Sequence, residues 1–393
     1  MKFLIPLFCI LGLTLALPAA ITEETKTTIN DALFRLSLNV LKEKHDESAV
    51  VSPFSIAMAL ATVNAGAEEK TSQEINEVAF SGVQKQSINT WFKEKLSDFK
   101  EHSADSLSIA SAVYLQKTVE LLQPYQKKLS EDFRTKVEKV DFSSAPEAQR
   151  TKINEFVNTT TAGNIPDFLK KRHVSTSTRF LAVNALYFKA KFADEFDKAL
   201  TKKAPFHKED KTTKQVDMMK RVHPGEFFET KDFALAKIPF LYDTAPDFDF
   251  FIIVPKTGSL ASLKEKFLSS AVKFAKTTLE RFPELHITMP KFKTRVNYEL
   301  VKGFKKIGLK EMFDGGKANF KGISKEQFSV NDIIHEAVFD LDEEGVTAAA
   351  ATAVVGEGSA FCTENCERHI VADRPFLYGV SHNGAPIFVG QFY

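Results

Sequence analysis

Cysteine is nearly absent from this chain. Of its 393 residues only three are Cys, and Cys9 lies in an apolar leader, so Cys362 and Cys366 alone remain beyond it. A disulfide framework is thereby excluded, and a chain of this length needs none, because the buried fraction of a fold rises with its size. An excess of one charge is lacking too: 52 Lys and Arg face 51 Asp and Glu, a formal net charge of +1. That balance argues against nucleic acid or acidic membranes as main partners, since phosphate-driven binding shows as a basic excess or stripe. Lys170 to His173 and Lys202 to Lys203 are local basic clusters and read as solvated faces. Beyond the leader no uncharged apolar run reaches the ~20 residues a membrane-crossing helix needs. Between residues 25 and 393 there is no Pro-, Gly- or Ser-rich linker, no repeat and no break in composition, so residues 21–393 read as one domain.

Catalytic and metal-ligand motifs are missing as well. His335-Glu336 opens like a zinc-binding H-E-x-x-H, but Phe339 stands where the second histidine belongs. Gly356 to Ser359 does not form G-x-S-x-G, and Gly303 to Lys310 falls short of a phosphate loop. The nine histidines are scattered singly, which suggests core or surface roles. No enzyme, metal site or cofactor is expected.

Several features are present. Met1 and Lys2 lead into an apolar stretch, Phe3 to Leu17, that ends among Ala16, Ala19 and Ala20. This is the pattern of a secretory signal peptide, residues 1–20, cleaved between 16 and 20. A secreted, extracellular, soluble product follows, and Asn158-Thr159-Thr160 is then a glycosylation sequon expected on a surface helix.

Ile29, Leu33, Leu36 and Val40 recur at helical spacing. Ser52 and Pro53 open a second helix as N-cap and first-turn proline. Thr71 and Glu74 form a capping-box pattern for a third. Later come β-rich runs at Leu107 to Leu115, Phe180 to Phe188, Phe248 to Val254, Leu285 to Met289 and Ile333 to Leu341. Pro375 to Tyr378 and Pro386 to Phe392 read as strands joined through His382-Asn383-Gly384, where Asn-Gly suits a tight hairpin. The class is mixed α+β.

One segment resists an ordinary structural reading. After a strand come Glu343, Glu344, Gly345, Val346, Thr347, four alanines Ala348, Ala349, Ala350 and Ala351, then Thr352, Ala353, Val354 and Val355. A short helix is one reading, because alanine favours helix and acidic residues suit its N-terminus. Against it stand Gly345 in the first turn and the β-branched Thr347 and Thr352. Small residues among β-branched ones suit a segment that must enter an existing sheet as an added strand. At period two Val346, Ala348, Ala350, Thr352 and Val354 would share one face, with Gly345 as the pivot.

In these features the sequence resembles the serpin family from about residue 28 to 393. The hinge Glu343-Glu344-Gly345 with its small residues, Ile370 to Val380 containing Ala372-Asp373-Arg374-Pro375-Phe376, and Ser52-Pro53-Phe54-Ser55-Ile56 all carry the likeness. Asn184-Ala185-Leu186-Tyr187-Phe188-Lys189 and Met289-Pro290-Lys291-Phe292-Lys293 extend it. The resemblance implies three β-sheets, about nine helices and an exposed reactive-centre loop at about 343–368. It further implies a monomeric suicide-substrate inhibitor of serine proteases, in which the cleaved loop inserts into the main sheet and traps the acyl-enzyme. The alternative within the family is a non-inhibitory carrier, storage or chaperone protein. Departures are Val346 for a frequent threonine, Phe192 for a tryptophan, Ala190 for a frequent glycine and Glu336 for a common lysine. Counting along the loop as the family does places the scissile bond between Ser359 and Ala360, with Ala360 or Phe361 as alternative residues before it. Cys362 and Cys366 either bridge or remain free or pair between molecules. If they bridge, cleavage must fall at or before Phe361, since a cut between them leaves the loop halves tied. Ser359 or Ala360 would suit an elastase-like protease and Phe361 a chymotrypsin-like one.

Overall fold

The computed structural model describes residues 21–102, 106–269, 272–346 and 367–393. Among them are eight α-helices: α1 (Glu23–Leu41), α2 (Pro53–Ala65), α3 (Glu69–Phe80), α4 (Lys85–His102), α5 (Gln123–Phe133), α6 (Pro146–Thr160), α7 (Leu260–Leu268) and α8 (Val301–Lys306). In α1 the Thr22 hydroxyl accepts from Thr25 N at 3.2 Å, Glu23 and Glu24 face the positive end of the dipole, and Ile29, Leu33, Leu36 and Val40 are buried as their spacing predicts. Ser52 caps α2, accepting from Ser55 N at 3.1 Å, with Pro53 in the first turn.

The capping box expected for α3 is not formed, because the helix starts three residues earlier, after Glu68. Thr71 and Glu74 face a packed neighbouring loop instead. The Thr71 hydroxyl donates to Glu311 at 3.2 Å and accepts from Asn319 N at 2.9 Å, while Glu74 accepts from Lys310 N at 3.0 Å and Glu311 N at 2.8 Å. Both residues tie α3 to a distant loop.

Among the described residues the strands build two hydrogen-bonded sheets. The main sheet contains β2 (Leu107–Gln116), β3 (Lys136–Val140), β4 (Phe180–Phe188), β5 (Ala190–Lys191), β11 (Phe292–Glu299), β12 (Asp332–Leu341) and β13 (Gly345–Val346). Its order is β3-β2-β4-β12-β13-β5, with β11 on the other flank of β12. Its central strands are buried on both faces, which is why they read as continuous apolar runs. In β4, Ala182, Leu186 and Phe188 enter the large core with α2, while Leu181, Val183 and Ala185 join a second core closed by Ile153 and Val157 of α6.

The second sheet has nine strands: β1 (Ala49–Val51), β6 (Lys202–His207), β7 (Thr213–Glu229), β8 (Phe233–Pro239), β9 (Phe248–Pro255), β10 (Glu280–Pro290), β14 (Glu367–Val371), β15 (Phe376–His382) and β16 (Ala385–Phe392). Its order is β1-β16-β15-β9-β8-β7-β10-β14, with β6 also on β7. Two of the three expected sheets are thus joined, because the 17-residue β7 pairs with β6 along its first part, with β8 along its last and with β10 along the stretch from Met218 to Phe227. The β15–β16 hairpin turns at Asn383 and Gly384, with φ of 47° and 75°, as the Asn-Gly pair predicts.

Candidate functional site

The site is built where β12 ends. Beyond Leu341 the chain turns on Asp342, whose carboxylate accepts from Glu344 N at 2.9 Å and Gly345 N at 3.2 Å. It then returns as β13, so that Val346 pairs with Leu341 of β12 on one side and with Ala190 of β5 on the other. The hinge therefore does not project from residue 343. Glu343, Glu344, Gly345 and Val346 are all buried, Val346 to 1% exposure, and the first two strand positions already lie inside the main sheet. Valine in place of threonine fits this slot because its side chain packs into the large hydrophobic core. Thr347 to Thr352, Ser359, Ala360, Phe361, Cys362 and Cys366 fall outside the described residues, as do residues 1–20, the expected signal peptide.

Gly345 is required on two grounds. Its φ is +150°, in the range L side chains rarely adopt, and a Cβ there would lie 2.2 Å from Ala190 O and 2.8 Å from Lys191 Cα. The alanine at 190 thus presents its backbone directly to the hinge. Its neighbour Phe192 donates its N–H to Glu344 O at 2.8 Å, and Phe196 N donates to Glu343 O at 2.8 Å. The Phe192 ring stacks on Phe240 at 5.2 Å and meets Phe196 at 5.6 Å, so phenylalanine fills the expected tryptophan position by packing alone.

The two acidic hinge residues are clamped. Burial opposes ionisation of Glu343, but the Thr201 hydroxyl at 2.7 Å and the Lys291 ammonium at 3.0 Å hold its carboxyl below the ordinary value. Glu344 is held low chiefly by its hydrogen bond from Lys198, against burial and with Lys191 adding at 3.4 Å. Committed to lysines and hydroxyl, these carboxylates act as anchors of the turn.

Below the hinge the main sheet is closed. There β12 and β4 pair in parallel through Asp332–Leu181, Ile333–Ala182 and Ile334–Val183, and this ladder stops at Ile334 and Val183. A strand extending from Val346 would enter between these two strands. Beneath that line, residues taken separately from the sequence converge. His335 Nε2 accepts from Ser52 N at 2.9 Å. Ser55 donates to Asn184 Oδ1 at 2.7 Å, and Ser111 and Thr135 hydroxyls meet at 2.7 Å beside them. Complete burial pushes His335 down to about 3, so the ring is neutral and can accept. Glu336, which stands where lysine is common, turns to the opposite face. Its carboxylate takes hydrogen bonds from Arg295 at 2.8 Å and Asn297 at 2.9 Å across β11, which explains a buried acid in a central strand. Membership of Ser52, Ser111 and Thr135 in this group was missed because it depends on α2 packing against β12 and on the pairing of β2 with β3 and β4.

Asn158 lies near the end of α6, with its side chain half-buried and Oδ1 enclosed. The histidines are not all apart, contrary to the sequence reading: the parallel register of β10 and β14 sets His286 beside His369, ring centroids 4.3 Å apart.

Comparison with known proteins agrees with this architecture. The model of the family described as Serpin (serine protease inhibitor) matches residues 27–393. Leukocyte elastase inhibitor of Equus caballus is 30% identical over 355 residues, covering 87% of this chain and 92% of the relative. Serpin B3 of Homo sapiens is 30% identical over 373 residues, covering 89% and 94%. Among solved structures, Serpin48 of the insect Tenebrio molitor, titled a highly specific serpin, superposes with a TM-score of 0.81 at 26% identity, covering 95% of this chain and 99% of that one. The family match across nearly the whole chain, the shared fold and the hinge seated at the head of the main sheet lead to one conclusion: this chain belongs to the serpin family.

Proposed function

We propose that this serpin is a secreted, monomeric suicide-substrate inhibitor of serine endopeptidases that traps the acyl-enzyme as its cleaved loop enters the main sheet. The supporting observation is β13: Gly345 and Val346 occupy strand positions between β12 and β5, and the residues that follow in sequence are small. Once the loop is cut, each further residue entering beside β12 gains ladder hydrogen bonds and buries apolar surface without bulk to exclude it. Serpin relatives named as elastase inhibitors favour this reading over a carrier role. The scissile bond is assigned to Ser359–Ala360, with Ala360 or Phe361 as the alternative residue before it, and a Cys362–Cys366 bridge would confine it there.

The test is to mix the purified protein with an elastase-like and a chymotrypsin-like serine protease and look for a complex that survives boiling in detergent. The released C-terminal peptide, weighed under reducing conditions, identifies the bond. Val346→Arg forces a charge into a buried strand position and is expected to convert inhibitor to substrate, with cleavage retained and the complex lost. Cleavage of the wild-type loop with full recovery of protease activity by every enzyme tried would falsify the inhibitory reading.

A further inference from the structure

The second sheet carries a side-chain cluster unrelated to the hinge. In the parallel ladder of β10 and β14, Glu284 stands opposite Glu367 and His286 opposite His369. Period-two alternation puts Glu367 and His369 on one face of β14, the face that His286 shares from β10. The two imidazoles lie side by side with an interplanar angle of 23°. The Glu367 carboxylate bridges them, one oxygen 3.1 Å from His286 Nε2 and the other 3.7 Å from His369 Nε2. That His286 nitrogen is enclosed and makes no hydrogen bond among the described residues. On the opposite face the Arg368 guanidinium sits 4.2 Å from the Phe282 ring centroid, fixing which way β14 presents its alternate side chains.

One ligand atom from each of His286, Glu367 and His369 lies within 4.8 Å of the other two. A tetrahedral ion about 2.0–2.2 Å from nitrogen and oxygen donors needs donors about 3.3 Å apart, so small side-chain rotations close the site. Glu367 and His369 side chains are 57% and 58% exposed, leaving an open path from solvent. We propose that these three residues bind a divalent transition metal ion of the zinc type, with water in the fourth position. Two imidazoles and one carboxylate suit such an ion, whereas calcium and magnesium prefer oxygen ligands throughout.

The placement gives the ion a mechanical role. Among the described residues β14 is an edge strand that pairs with β10 alone, and it begins one residue after Cys366. An ion ligated from both strands cross-links the distal end of the loop to the body of the protein. This holds whether or not the loop inhibits a protease.

The experiment titrates Zn2+ into chelator-treated full-length protein by calorimetry and follows amide hydrogen exchange over residues 367–371. The wild type is expected to bind one equivalent with micromolar affinity and to slow exchange in β14. His369→Gln and Glu367→Gln should each weaken binding at least tenfold and abolish the slowing, while their metal-free melting stays near that of the wild type. The Cys362→Ser/Cys366→Ser variant should bind as the wild type does. Failure to bind below millimolar Zn2+, or binding that survives His369→Gln but disappears with the cysteines, overturns the proposal.

Discussion

Gly345→Ala is the sharpest perturbation of the hinge. The added Cβ meets backbone, Ala190 O at 2.2 Å and Lys191 Cα at 2.8 Å, and it does so at φ +150°. Backbone of this kind costs a residue with a side chain about 1–3 kcal/mol before any overlap is counted. The overlap has no cheap relief, because β5 is fixed by the Phe192 N–H bond to Glu344 O at 2.8 Å and by the Phe192–Phe240 bridge. The alternative is for β13 to leave the slot. Leaving exposes Val346, costing about 2 kcal/mol, and breaks a few ladder hydrogen bonds at roughly 1 kcal/mol each. Release therefore sets a ceiling of roughly 4–5 kcal/mol on the loss, and the loss is taken largely in that form. Amide hydrogen exchange is the fitting assay: protection at 345 and 346 should vanish while β12 and β4 below Ile334 keep theirs. Val346→Ala is the control, since it keeps the glycine and removes only methyl groups, at about 1–2 kcal/mol. Wild-type protection at 345 and 346 in Gly345→Ala, with an unchanged denaturation midpoint, would refute the reasoning.

Two further predictions concern the sheets. Arg295→Ala strips the main ionic partner from buried Glu336, whose side chain is 3% exposed; a loss of roughly 2–4 kcal/mol is expected, and the double variant with Glu336→Gln should recover part of it in urea unfolding. Asp249 in β9 is pushed up to about 6, chiefly by burial and against the pull of Lys237. A raised acid weakens the fold above its folded value and ceases to do so as pH falls from about 6 through the unfolded value near 4, so Asp249→Asn should stabilise at pH 7.5 by about 1–2 kcal/mol. That gain should disappear at pH 3.5, and a pH-independent gain would show that lost charge is not its cause.

What could be read in advance follows from where the information resides. Elements buried on one stripe or on both faces announce themselves: β4, β9 and β12 appear within a residue or two of the runs that suggested them, and α1 covers its apolar stripe but begins six residues before Ile29. β7 does not, because exposed Lys, Glu and His alternate along it and dilute any apolar pattern; β6 and β11 fail for the same reason. Glycine at 345 was legible as special, but its neighbour was not, since the contact with Ala190 depends on a strand more than 150 residues away in sequence. The same limit applies to Glu336 with Arg295 and to His286 with His369. Both pairs are consequences of register, which is set by packing across strands and leaves no trace in local spacing. Thr71 and Glu74 show the converse error, a sound local motif overridden by partners in a distant loop.

The chain has a single tryptophan, and its position makes it informative. Trp91 in α4 is 1% exposed, edge-on to Phe92 at 4.9 Å and 5.9 Å from Phe54 of α2. Phe54 follows directly on Ser52 and Pro53, at the end of α2 that grips His335 and Asn184. With excitation selective for indole over the seven tyrosines, emission therefore comes from one ring in one environment. Any parting of β4 from β12 that drags the start of α2 must alter the packing on that indole, and its spectrum would time such a parting without a label.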